Sequence, residues 1–103
     1  MRPYEIYNAE FAWNGCVDMR PWVIVEIKGG GKFFGCFPIA SQCYQGGCFL
    51  IESSHPDFPA TGLTKTCNVH DSHIIELPLS AFRKRRGALV GELLKEFRKH
   101  TGI

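Results

Sequence analysis

Residues 18–41 read DMRPWVIVEIKGGGKFFGCFPIAS. Two apolar runs flank KGGGK, and three consecutive glycines make positive φ cheap, so the segment predicts a β-hairpin. The first strand spans Arg20 to Ile27. Its centre, Trp22 to Val25, is continuously apolar rather than alternating, which predicts burial on both faces. Pro21 cannot donate to a sheet ladder and is placed among the strand's first residues. The second strand, Phe33 to Ser41, carries Pro38, which predicts a bulge or an unpaired position there. An arginine at the start of so apolar a strand is the first candidate for chemistry.

Working outward, Tyr4 to Trp13 is aromatic and partly alternating, a third strand closed by the Asn14-Gly15 turn signal. Cys48 to Ser53 predicts another strand after the turn QCYQGG. The prolines of SHPDFPATG predict a loop. Residues 63–71 and 73–79 predict two more extended segments. Beyond Gly87 the period changes: Leu89, Leu93, Leu94 and Phe97 form one helical stripe, and Arg98, Lys99 and His100 suit a helix C-terminus. The helix is expected over 88–100, with Gly87 as the break before it. Strands joined by short turns and followed by one helix predict a mainly β fold, a small antiparallel barrel-like sheet. Crossover helices for parallel pairing are missing from the pattern.

The chain has 103 residues, enough for one domain and one core. Hydrophobic residues make up 45%, a globular composition. The net charge of +2 does not by itself argue nucleic-acid binding, but the four consecutive cations Arg83, Lys84, Arg85 and Arg86 form a local basic run before the helix. Neither a leader-like apolar segment nor a membrane-spanning run is visible, so a cytoplasmic protein is expected. The five cysteines are odd in number and are read mostly as reduced thiols, several of them buried. No metal or cofactor is expected: there is no C-x2-C pair, and the H-x2-H spacing of His70 and His73 does not suit a helix here.

RPWVIVE, FPIAS, GLTKTCNVHDSHIIEL and RGALVGELLKEFRKHTGI occur in the order and spacing of segments in the MazF/PemK toxin family, and from about Arg20 onward the chain resembles that family. The resemblance implies an SH3-like or CcdB-like barrel of five to seven strands plus one α-helix, spanning residues 1–103 as one domain. It implies a toxin-like, metal-independent endoribonuclease that cleaves single-stranded RNA by 2′-hydroxyl attack. A cognate antitoxin as inhibitor and a homodimer follow from the same resemblance. By position, Arg20 is the phosphate-binding cation, whose planar fork suits two phosphate oxygens. Ala40 stands where the family carries a hydroxyl, and the neighbouring Ser41 is the candidate to supply it. Asp71 matches a family aspartate, and His70 or His73 is the candidate for proton transfer, a role to which histidine as a residue type is suited. The basic run Arg83 to Arg86 and Tyr44 are the candidate RNA contacts, the latter by stacking. The alternative reading is a catalytically inactive barrel that binds a protein or nucleic-acid partner; Ala40, Val69 and a short first loop favour it.

Overall fold

The computed structural model describes every residue except 14 and 44–46. Among the described residues, seven strands form one antiparallel sheet: β1 (Glu5–Trp13), β2 (Cys16–Lys28), β3 (Phe33–Ala40), β4 (Phe49–Ile51), β5 (Cys67–Val69), β6 (Ile75–Pro78) and β7 (Phe82–Ala88). The spatial order is β4-β5-β3-β2-β1-β7, with β6 also paired to β3. A short helix α1 (Phe58–Thr61) precedes β5, and α2 (Gly91–Thr101) ends the fold. The mainly β architecture with a C-terminal helix is therefore the one expected.

The run Trp22–Val25 explains the layering. Val23 and Val25 join one core cluster with Phe37, Ile39, Phe49, Leu89 and the α2 residues Leu93 and Phe97. Trp22 and Ile24 point the other way, into a second cluster with Ala9, Phe34, Cys36 and Leu77. Successive strand residues face opposite sides, so a strand buried on both faces has no polar positions to show. Phe97 is fully buried and meets Tyr4, Phe37 and Phe49 edge-on, with ring centroids 6.3, 6.3 and 5.4 Å away.

Several local expectations change. β2 begins at Cys16, so Arg20 and Pro21 lie inside the strand and not at its start. Over residues 16–21 β2 has β1 alone as a neighbour, because pairing to β3 begins at Trp22. This half of β2 is an edge, where proline is tolerated. The irregularity expected at Pro38 falls instead at Val25, between the pairs Ile24–Cys36 and Glu26–Gly35. Pro38 stays in register opposite Trp22.

The loop expected over residues 54–62 contains α1, started by Pro59 in its first turn and closed by Gly62 at φ 69°. The basic run is not a solvated lead-in to the helix but most of β7, and α2 starts at Gly91. Gly87 is no helix break. A Cβ there would lie 2.1 Å from the Ala60 carbonyl oxygen, and a Cβ at Gly62 would lie 2.0 Å from the Arg86 oxygen. The two glycines let the α1 turn press backbone to backbone on β7.

Cys43 and Cys48 form a disulfide, with Cα atoms 6.0 Å apart, against the expectation of reduced thiols. β3 and β4 flank β5, with Ile39 and Phe49 both opposite Val69, so the ends of the intervening loop are drawn together. Cys36 and Cys67 are buried thiols, as read from the sequence, and Cys16 is exposed.

Candidate functional site

Where β2 outruns β3, the sheet opens into a cleft of about 380 Å³. One wall is Asp18 to Pro21, the end of the other is Ile39 to Ser41, and the chain after α1 adds Leu63 to Lys65. Cys67 and Arg86 complete the lining. Two sequence candidates, Arg20 on β2 and Ser41 just past the end of β3, thus meet in one depression. Lys65 and Thr64 were not singled out by sequence reasoning; a Gly-x-x-Lys turn leaving a short helix is the only local signal they offer.

Arg20 is not free. Its Nε donates to Asp18 Oδ2 at 3.0 Å, and its Nη2 closes on the same oxygen. Both side chains remain partly open to solvent, at 38% and 47% exposure, so the pair is exchangeable rather than locked. Ser41 is exposed, and its carbonyl accepts from Asn68 Nδ2 at 3.4 Å.

Asp71 and His70 do not line the cleft. The Asp71 carboxylate is 14% exposed and lies 3.0 Å from His100 Nε2, which ties the β5–β6 loop to α2. The same nitrogen lies 3.0 Å from the Gly47 carbonyl, and the His100 ring lies tilted against Phe49, with centroids 5.5 Å apart. His70 donates its backbone N–H to the Pro38 carbonyl at 2.9 Å, and its Nε2 is 2.9 Å from the Gln42 carbonyl. His70 is thus held next to Ser41 through the Gln42 carbonyl, whereas Asp71 is engaged with α2. His73 is exposed, its Nδ1 3.2 Å from the Ser72 hydroxyl.

The basic run divides by position along β7. Arg83 pairs with Glu10 at 3.0 Å, and Arg85 pairs with Glu5 at 2.6 Å. Burial pushes the Glu5 carboxyl up, but the Arg85 bond and charge and the Arg2 amide together hold it below its ordinary value. Lys84 is exposed. Arg86 alone of the four reaches the cleft. Tyr44 lies outside the described residues. Among the described residues no three His, Cys, Asp or Glu side chains converge as metal ligands.

At the level of fold, a solved structure matches closely: a mycobacterial endoribonuclease in complex with its cognate antitoxin. The TM-score is 0.70 at 12% identity, over 97% of this chain and 89% of that one. This chain shares that fold. The resemblance to toxin endoribonucleases read from the sequence is thus present in the structure as a common architecture. No protein-family model and no curated protein matches the sequence. No described helix is long and apolar enough to cross a membrane.

Proposed function

We propose that the chain is a toxin-like endoribonuclease that cuts single-stranded RNA by attack of the 2′-hydroxyl on the adjacent phosphate, without a metal ion. One observation carries this reading. Arg20 on β2 and Ser41 just past the end of β3 line one cleft in a fold shared with an endoribonuclease. In-line attack adds negative charge to the phosphoryl oxygens. A guanidinium beside them stabilises that charge, and a hydroxyl adds a hydrogen bond. The reaction also needs a base for the 2′-hydroxyl and an acid for the departing 5′-oxygen. His70, bonded to the Gln42 carbonyl beside Ser41, and Asp71, its neighbour in the chain, are assigned to this proton traffic.

The antitoxin partner is supported by the complex in which the structural neighbour was solved. A homodimer is supported by exposed apolar side chains, among them Val17 and Met19 on β2. A cytoplasmic location belongs to the same reading. Incubating the pure protein with mixed single-stranded RNA in EDTA tests the proposal. Discrete fragments ending in cyclic phosphate are expected, and intact RNA would overturn it.

The binding-module alternative has a specific observation in its favour. Asp18 neutralises Arg20, and Ala40 supplies no hydroxyl. Retention of RNA without any cleavage in the same assay would decide for it.

A further inference from the structure

Arg86 differs from every other cation of the cleft in how it is held. Its Nε and Nη2 both donate to the Gly62 carbonyl, at 3.1 and 2.7 Å, and its Nη1 donates to Asn8 Oδ1 at 3.1 Å. All three bonds go to neutral oxygens. The guanidinium is fixed, yet among these contacts nothing cancels its charge. Arginine has five N–H donors, so three bonds leave two.

Two of this clamp's three bonds go to a backbone carbonyl whose place is set by backbone packing. Gly62 and Gly87 have no Cβ, so the α1 turn packs directly on β7, and this contact delivers the Gly62 oxygen to Arg86. Asn8 comes from β1, where it stands opposite Pro21. Lys65 is an exposed residue of the same cleft lining. The charges of Lys65 and Arg86 both bear on the Cys67 thiol in the lining, opposing the burial that raises it. By contrast Arg20 spends its Nε and Nη2 on a carboxylate.

We propose that Arg86 is the fixed phosphate receptor of the cleft: one phosphodiester of a bound single-stranded RNA docks on its two remaining N–H donors, with Lys65 as a second, mobile positive charge. This rests on the endoribonuclease reading for the identity of the ligand, but not on cleavage. A preorganised donor fork meets a phosphate without paying to order itself, which is the condition for strong charge-assisted recognition. It also frees Arg20 to act only when charge builds up at the reacting phosphate.

The test is fluorescence anisotropy with a short, labelled, fully 2′-O-methylated single-stranded RNA, which cannot be cut by 2′-hydroxyl attack. Titrations at several salt concentrations compare the parent with Arg86→Gln, Asn8→Asp and Lys95→Gln, the last a cation on α2 outside the cleft. Asn8→Asp keeps the geometry of the clamp and adds a carboxylate to cancel the charge. It therefore stays informative even if Arg86→Gln unfolds. Both cleft variants are expected to weaken binding about tenfold or more. The salt slope is expected to fall by about 0.7, one phosphate contact on a single strand, while Lys95→Gln matches the parent. Parent-like affinity and slope in Arg86→Gln and Asn8→Asp overturn the inference, as does a parent that does not bind the probe. A parent that binds the probe with this dependence but leaves ordinary RNA intact upholds the site and overturns only the cleavage reading.

Discussion

Arg20 and Asp18 share one side of β2, two residues apart, and the guanidinium closes on the carboxylate with Nε 3.0 Å from Oδ2. The cation expected at the reacting phosphate is thus compensated until a substrate competes for it. Asp18→Asn removes the competitor. RNA affinity is expected to rise by up to about fivefold, the scale of an exposed ion pair. Arg20→Lys keeps the charge but loses the two-pronged contact, and cleavage is expected to fall by about 10²–10³. Melting midpoints of both variants are expected to stay near the parent, since the pair is exposed. A fall in affinity for Asp18→Asn would show that the carboxylate aims Arg20.

The α1–β7 contact makes a stability prediction. Gly87→Ala places a methyl 2.1 Å from the Ala60 carbonyl oxygen, in backbone that cannot rotate away. Overpacking of this kind costs about 1–3 kcal/mol or more. Gly30→Ala, at a glycine where a Cβ meets nothing within 4 Å, puts a positive-φ strain in open space and serves as the comparison. Denaturant melts are expected to show the larger loss for Gly87→Ala.

Leu93 is 1% exposed on the inner stripe of α2. Leu93→Ala is expected to cost about 2–5 kcal/mol in the same melts. A loss below about 0.5 kcal/mol, the scale of surface changes, would mean that the helix does not seal the core through this residue.

The cysteines separate by environment. Burial pushes the Cys36 thiol up to about 12. It also raises Cys67, while Cys16 is exposed. Since the thiolate is the reactive form, a thiol reagent at mildly alkaline pH is expected to modify Cys16 first and Cys36 only on unfolding. Denatured protein without reductant is expected to titrate three thiols, and reduced protein five. Five without reductant would show Cys43 and Cys48 unpaired.

The Glu5 carboxyl is held below its ordinary value in the fold. A depressed carboxylate contributes stability above its unfolded pKa and loses it as pH falls through the folded one. Glu5→Gln is therefore expected to flatten the acid limb of a stability-versus-pH curve and to leave its neutral part lower. An unchanged acid limb would show that the Arg85 pair carries no linkage.

The hairpin around KGGGK and the α2 stripe were legible in the sequence because their signals are local. Three adjacent glycines specify a turn, and an apolar repeat of one helical period specifies the buried face. Arg20 and Ser41 were singled out by position in the family resemblance, and their meeting in one cleft is a structural fact.

β7 was not legible. Arg83, Lys84 and Arg85 are all exposed, so an edge strand at the end of the sheet shows no alternation to read. The same holds for the clamp on Arg86. It depends on Gly62, 24 residues earlier, and Asn8, 78 residues earlier, and no local pattern encodes such an approach. Nor does a spacing of five residues say that Cys43 and Cys48 pair, since that follows from β3 and β4 lying on either side of β5. Periodicity records which face of an element is buried. Only the packed chain decides which charges meet a carboxylate, as Arg20 does, and which are held by neutral oxygens beside the cleft, as Arg86 is.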